Sequence, residues 1–317
     1  MKRVILKILL FILPLGILIY LIPVDRRINF VMLKEDCAYR GTWIFDRIHK
    51  NDRPADVVFF GSSKTINGIS DEFIESQLNL SSIHVVNFGY CRYGVNIYPV
   101  LLKEILKSKN PRLLFLEVRS DENWYSHPVF PYLANARDVF LATPFFNRDL
   151  VRDYFDSFLY RIKLIKAGYF NKDTIEPIRG DNYGFRSSTD TASKPLMENA
   201  KKEHSVPPRE LGYYGKLLYM TYPAYYLEQL SELCMKHKIK LVFLYFPDYG
   251  TLLKEPMQMM TYRKYGEVLI PPQEIFNDPD NWGDENHLNQ AGARKFSDWL
   301  ASQVRKELGP AILSTQK

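Results

Sequence analysis

The chain alternates short, wholly apolar runs with stretches whose apolar residues recur at helical spacing. Asp56 opens Val57-Val58-Phe59-Phe60, a run closed by Gly61, and similar runs occur at Ile83 to Asn87, Leu113 to Val118 and Ile239 to Phe246. Runs of this length, apolar without alternation, predict strands covered on both faces, as in a parallel sheet. Between them, Asp71 to Leu78 follows Ser70, a residue suited to cap a helix, and Tyr98 to Lys107 carries apolar positions at helical spacing. Strand and helix in alternation predict an α/β fold, a three-layer α/β/α domain on a parallel sheet, over residues 56–305 with a short tail at 306–317.

Two stretches depart from the alternation. Val4 to Pro23 reads VILKILLFILPLGILIYLIP, apolar on every side and long enough to span a bilayer. It ends in Tyr20, Leu21, Ile22, Pro23 and Val24 rather than in the small residues of a cleavage site, which predicts an uncleaved anchor. Lys2, Arg3 and Lys7 on its amino side place the bulk of the chain outside the cytoplasm, although Arg26 and Arg27 weaken the asymmetry. Residues 25–55 then read as a helical stalk or linker without chemistry of its own. The second departure is an insertion at about 120–225. Its first part, Pro131 to Phe170, carries Phe140, Phe145, Phe146, Tyr154, Phe155, Phe158 and Tyr160 among Arg and Asp, and predicts amphipathic helices over the carboxyl edge of the sheet. Its second part, Asp173 to Glu210, is polar and aperiodic and reads as a long loop.

Composition removes several function classes. The net charge is +6, half of it supplied by Lys2, Arg3 and Lys7, too little basicity for nucleic acid. Three cysteines do not make a disulfide scaffold, and Cys91 reads as a small buried filler. Cys234 and His237 have a metal-like spacing but lack two further ligands nearby, and no phosphate-binding Gly-x-x-x-x-Gly-Lys-Ser/Thr loop is present.

The chemistry gathers where strands end. Phe60-Gly61-Ser62-Ser63 places two serines at the carboxyl end of a buried strand, the edge at which open α/β sheets bind ligands. Of the six histidines, strand geometry leaves His127 and His287, because His49 and His237 precede strands, His84 begins one and His204 lies in the polar segment. His287 follows Asp284 by three residues, just before a helix whose Ala293, Phe296, Leu300 and Val304 share one face. One loop can thus present a carboxylate and an imidazole, and Ser63, Asp284 and His287 form a candidate triad.

These blocks resemble those of the SGNH (GDSL-type) hydrolase superfamily, whose first block ends a strand with a glycine and the nucleophile and whose last is Asp-x-x-His. The resemblance implies a flavodoxin-like sheet, Ser63 as nucleophile, and Ser62 in place of the usual aspartate. That variation is similar to a membrane-anchored branch which includes the proteins of D-alanine transfer and alginate O-acetylation. Val86-Asn87-Phe88-Gly89 fits the second block and implies Gly89 as an oxyanion donor beside Ser63. The third block, normally Gly-x-Asn-Asp, is replaced by Leu116-Glu117-Val118-Arg119-Ser120-Asp121-Glu122-Asn123. Asn123 lies further along than the usual asparagine, and Arg119 either stabilises an oxyanion or anionic substrate or makes a salt bridge with Glu117, Asp121 or Glu122. The implied function is an esterase or O-acyltransferase on cell-envelope glycan or polysaccharide esters. It would use no metal or organic cofactor, take an acyl donor and a glycan acceptor, and work beside a multi-pass membrane acyltransferase. The alternative is a catalytically silent subunit that binds a glycan or a partner protein.

Overall fold

The apolar runs form one sheet. In the computed structural model, β1 (Val57–Phe60), β2 (Val85–Asn87), β3 (Leu113–Val118), β4 (Lys240–Tyr245) and β5 (Glu267–Leu269) pair in the order β2-β1-β3-β4-β5, every pair parallel. This order is compatible with a flavodoxin-like sheet, whose ligands bind at the carboxyl ends where the strand order reverses. The apolar pattern does not reveal β5, which exposes Glu267 and buries Leu269 alone. The structure describes residues 2–33, 39–122, 125–140, 148–170, 181–206 and 212–313, with backbone alone at positions 2, 4–6, 8–9, 11–13, 170, 218 and 310–313.

The helices run in order from α1 (Lys2–Leu21), α2 (Arg26–Val31) and α3 (Arg40–His49) to α4 (Ser63–Gly68), α5 (Asp71–Leu78) and α6 (Ile97–Ile105). Then come α7 (Phe130–Leu133), α8 (Ala136–Phe140), α9 (Leu150–Phe170), α10 (Lys194–His204) and α11 (Tyr213–Lys236). The last are α12 (Met259–Tyr262), α13 (Gln273–Asn277) and α14 (Gln290–Leu313). Successive strand residues face opposite sides, so the sheet divides two cores. Val57, Phe59, Phe115 and Leu244 pack with α5, α10, α13 and α14, while Val58, Phe60, Leu116 and Phe243 pack with α2, α3, α6 and α11.

Several expectations are corrected here. Residues 25–55 are no stalk: Phe30, Ile44 and Ile48 of α2 and α3 are fully buried in the second core. The aromatic helices α7 to α9 do not cover the sheet's carboxyl edge but pack beside α1, α2 and α6, where the Tyr160 hydroxyl donates to Asn29 O at 2.7 Å. Phe145 and Phe146 lie outside the described residues. The polar segment holds a helix, α10, because Met197 and Ala200 bury against the first core. The domain also continues past residue 305 to the buried Leu308, before a turn at Gly309 (φ 71°).

At the amino end, α1 is helical over 20 residues, and among the described residues no helix is long and apolar enough to cross a membrane. The carboxyl end of α1 is fixed to the domain. Arg161 of α9 donates to the carbonyls of Ile19, Tyr20 and Ile22, and the Tyr20 and Ser157 hydroxyls are 3.2 Å apart. A guanidinium at this position meets carbonyls that have no partner within their own helix.

Candidate active site

Gly61 allows β1 to turn sharply into α4, because a side chain there would overlap Thr65 and Glu117. Ser62 follows as the N-cap of α4, its hydroxyl accepting from Lys64 N–H at 3.1 Å. Ser63, the first residue of α4, is thereby turned out at the sheet edge, half-buried.

The histidine comes from the opposite end of the chain. Trp282 and Leu288 form an antiparallel bridge, and Gly283 N–H donates to His287 O at 2.9 Å, which closes a tight loop before α14. Within it, Asp284 Oδ1 accepts from the N–H groups of Asn286 (2.7 Å) and His287 (2.9 Å), a local turn typical of aspartate. The Asp284 carboxylate also lies 2.8 and 2.9 Å from His287 Nδ1, and His287 Nε2 lies 2.7 Å from Ser63 Oγ. A carboxylate only accepts, so the ring proton resides on Nδ1 and Nε2 accepts from the serine hydroxyl. Burial raises the Asp284 carboxyl, but the bonds from His287 and Asn286 outweigh it and hold the group below its ordinary value. Ser63, His287 and Asp284 are therefore in one hydrogen-bonded chain.

Beneath the serine sits a carboxylate that the sequence patterns did not single out. Glu117 of β3 is fully buried and accepts from Ser62 N–H (2.8 Å), Ser62 Oγ (2.7 Å), Thr65 N–H (3.2 Å) and Thr65 Oγ1 (2.6 Å). Burial alone would raise it; Arg119, the Thr65 and Ser62 hydrogen bonds and Lys64 together hold it below its ordinary value. Arg119 donates to Ser62 Oγ at 3.0 Å and to Glu117 at 3.3 Å, with its guanidinium stacked 4.4 Å from the Tyr93 ring centre. Burial works against the Arg119 charge, but Glu117, Tyr93, Tyr98 and Asp248 together more than offset it, and the group stays protonated. Arg119 thus makes the expected salt bridge with Glu117 and lies next to the serine turn. Glu122 points elsewhere, accepting from Tyr262 at 2.7 Å and from Tyr93. Lys64 pairs with Asp248 at the end of β4.

Gly89 follows β2 close to the serine turn: a β-carbon on it would lie 3.1 Å from Ser62 O. Its N–H, however, donates to Asn87 Oδ1 at 3.0 Å, so the expected oxyanion donor already has an acceptor. Ser63 N–H takes no acceptor among the described residues. Asn123 lies outside the described residues. His127 is buried away from solvent, which pushes it down to about 3 and keeps the ring neutral. Its backbone N–H donates to Asn96 Oδ1 at 2.9 Å and its ring Nδ1 accepts from Val129 N–H at 3.3 Å, a structural role.

Three further elements frame the site. Arg40 of α3 is buried and donates to the carbonyls of Gly89, Gly184 and Asn87, each at 2.7 Å, while lying 4.3 Å over the Trp43 ring. Burial pushes its guanidinium down to about 9. Residues 181–192 run as a strap past the nucleophile. Gly184 N–H bonds to Asp71 at 2.7 Å, Arg186 N–H to Ile66 O at 3.0 Å, and Ser188 O accepts from Gln290 N–H at 2.8 Å. Cys91, two residues after Gly89, is half-buried and disulfide-bonded, which corrects the reading of a buried filler. Among the described residues no cluster of His, Cys, Asp or Glu could hold a metal ion.

Compared with known protein families and with curated proteins, the chain matches none.

Proposed function

We propose that this chain is an extracytoplasmic serine acyl-transfer enzyme of the SGNH type, held to the membrane by α1 and acting on ester-linked acyl groups of cell-envelope glycans. The observation that carries this reading is the continuous chain Asp284, His287 Nδ1, His287 Nε2, Ser63 Oγ at 2.7 to 2.9 Å. Such a chain serves to take the serine proton as the oxygen attacks and to return it to the leaving group. His287 Nε2 removes the Ser63 proton and Ser63 Oγ bonds to the ester carbonyl carbon. The alcohol leaves with that proton, and a sugar hydroxyl or water then takes the acyl group by the same steps reversed. Ser63 N–H is the backbone donor available to the oxyanion, and Arg119 supplies the nearby positive charge. Gly89 N–H joins only if Asn87 releases it, which suits slow transfer better than rapid hydrolysis, since each missing donor costs on the order of 100- to 1,000-fold in rate.

Location rests on two features. The Cys91 disulfide supports an oxidising compartment. The second is a feature of the sequence alone: Val4 to Pro23 is an apolar run of bilayer-spanning length with Lys7 as its single charge. The partners of this reading are an acyl donor and a polysaccharide acceptor, with the donor acyl group delivered by a multi-pass acyltransferase of the same membrane.

The experiment is intact-mass analysis of the full chain in detergent after exposure to an activated acetyl ester. The expected result is one acetyl adduct on Ser63, absent in Ser63→Ala, that an added oligosaccharide discharges faster than water does. An unmodified wild-type protein under the same conditions would favour the silent binding subunit, which the occupied Gly89 amide also favours.

A further inference from the structure

α9 presents two faces that differ in what they meet. Asp153, Ser157, Tyr160 and Leu164 are buried against the domain. On the opposite side Val151, Phe155, Leu159, Ile162 and Tyr169 are exposed, Val151 by 80% and Phe155 by 62%. At 100° per residue these five fall within one quadrant of the helix, so they form an apolar stripe along α9. Lys166 lies within the stripe, and Arg152 and Lys163 lie along one edge, with Asp156 just beyond them. An apolar face edged by Lys and Arg matches helices that lie in the plane of a membrane surface, where long basic side chains reach the headgroups.

What the stripe meets follows from its neighbour. Tyr169, at the end of the stripe, donates to Pro23 O at 3.2 Å, immediately beyond α1. Arg161 ties the last carbonyls of α1 to the flank of α9, and Phe140 bridges them, stacking on Tyr154 and edge-on to Tyr20. Leu15, Ile17, Leu18 and Leu21 of α1 are themselves exposed. The end of α1 and the stripe of α9 thus form one connected apolar surface with a basic margin. We propose that α9 lies in the membrane–water interface, its stripe among the headgroups and upper acyl chains of an anionic bilayer. The inference rests on the reading of α1 as an anchor. Its consequence is that the domain is held in one orientation on the membrane, on two supports rather than on a flexible tether.

The test places an environment-sensitive fluorophore on single added cysteines, Phe155→Cys, Leu159→Cys, Leu10→Cys in α1 and Glu72→Cys on the distant α5. Each full-length variant is reconstituted in vesicles of phosphatidylethanolamine and phosphatidylglycerol. The native Cys234 is buried and Cys91 is disulfide-bonded, and the unsubstituted chain carried through the same labelling gives the background from its three native cysteines. The expected result is blue-shifted emission at 155 and 159, quenched most by lipids carrying the quencher near the headgroup. Leu10→Cys should be quenched by lipids carrying it deep in the chain, and Glu72→Cys by neither. Quenching at 10 with water-like emission at 155 and 159 overturns the proposal and leaves the anchor standing. Water-like emission at all four positions removes the anchor and the proposal with it. Shielding at 155 and 159 that appears in native membranes but not in protein-free vesicles would assign the stripe to a protein partner and overturn the lipid assignment.

Discussion

Glu117 holds the turn on either side of Ser63 through Ser62 and Thr65 and never reaches the reacting atoms. It gathers both backbone and hydroxyl donors of the serine turn onto one buried carboxylate and balances Arg119. Removing one partner of a buried pair leaves the other uncompensated and costs about 3 to 5 kcal/mol. Glu117→Gln is therefore expected to lower the unfolding free energy by about 3 kcal/mol in a denaturant titration, with slower acylation of Ser63 in the fraction that remains folded. Asp284 makes a different prediction: it is half-exposed and positions the ring, so Asp284→Asn should leave stability nearly unchanged. Acylation should fall on the order of 100- to 10,000-fold, the range that general acid–base catalysis contributes. Both carboxyls are held below their ordinary values of 4.5 and 3.8. Folded values below unfolded ones mean stability that is complete above the unfolded value and lost as pH falls through the folded one. Unfolding measured against pH should accordingly show the Glu117 contribution in full and independent of pH above about pH 4.5 and declining below it, and that acid limb should flatten in Glu117→Gln.

At the scale of elements, legibility in the sequence followed the distance between interacting residues. Four strands were readable because each is a short unbroken apolar run, and Ser63, Asp284 and His287 could be named because glycine-serine after a strand and Asp-x-x-His before a helix are local patterns. Arg40, Asp71 and Glu117 were not readable as site-framing groups. Their partners lie far away in sequence, and a lone buried charge leaves no periodic trace. The insertion was misread for a related reason: aromatic spacing marks a helix but not its destination, and polarity between 181 and 192 hides a strap held mainly by backbone hydrogen bonds. This strap yields a sharp prediction. A methyl group at Gly184 would overlap Asn87 O and come within 2.8 Å of Trp43, and overpacking of this kind costs about 1 to 3 kcal/mol. Gly184→Ala should lift the strap from α4, detected as faster hydrogen exchange at the Arg186 and Gln290 amides, with protection in β1 and β3 unchanged. Equal loss of protection throughout would mean that the strap is part of the global fold rather than a separate layer over the site.

The whole molecule brings together a parallel sheet whose carboxyl edge carries a hydrogen-bonded serine, a disulfide two residues beyond Gly89, and an apolar helix pinned to the domain at its exit. The disulfide predicts that Cys91 resists alkylation in denaturant until a reductant is added, whereas Cys234 reacts on unfolding alone; alkylation of Cys91 without reductant would remove the argument for an oxidising compartment. The central claim is that Ser63 is an activated nucleophile, and the most direct measurement is intact-mass labelling of the full-length protein with a fluorophosphonate, alongside Ser63→Ala and His287→Ala. The account predicts one adduct on the wild type, none on Ser63→Ala, and a strongly slowed reaction on His287→Ala. A folded wild type that takes up no label, or one labelled equally in all three proteins, would contradict it.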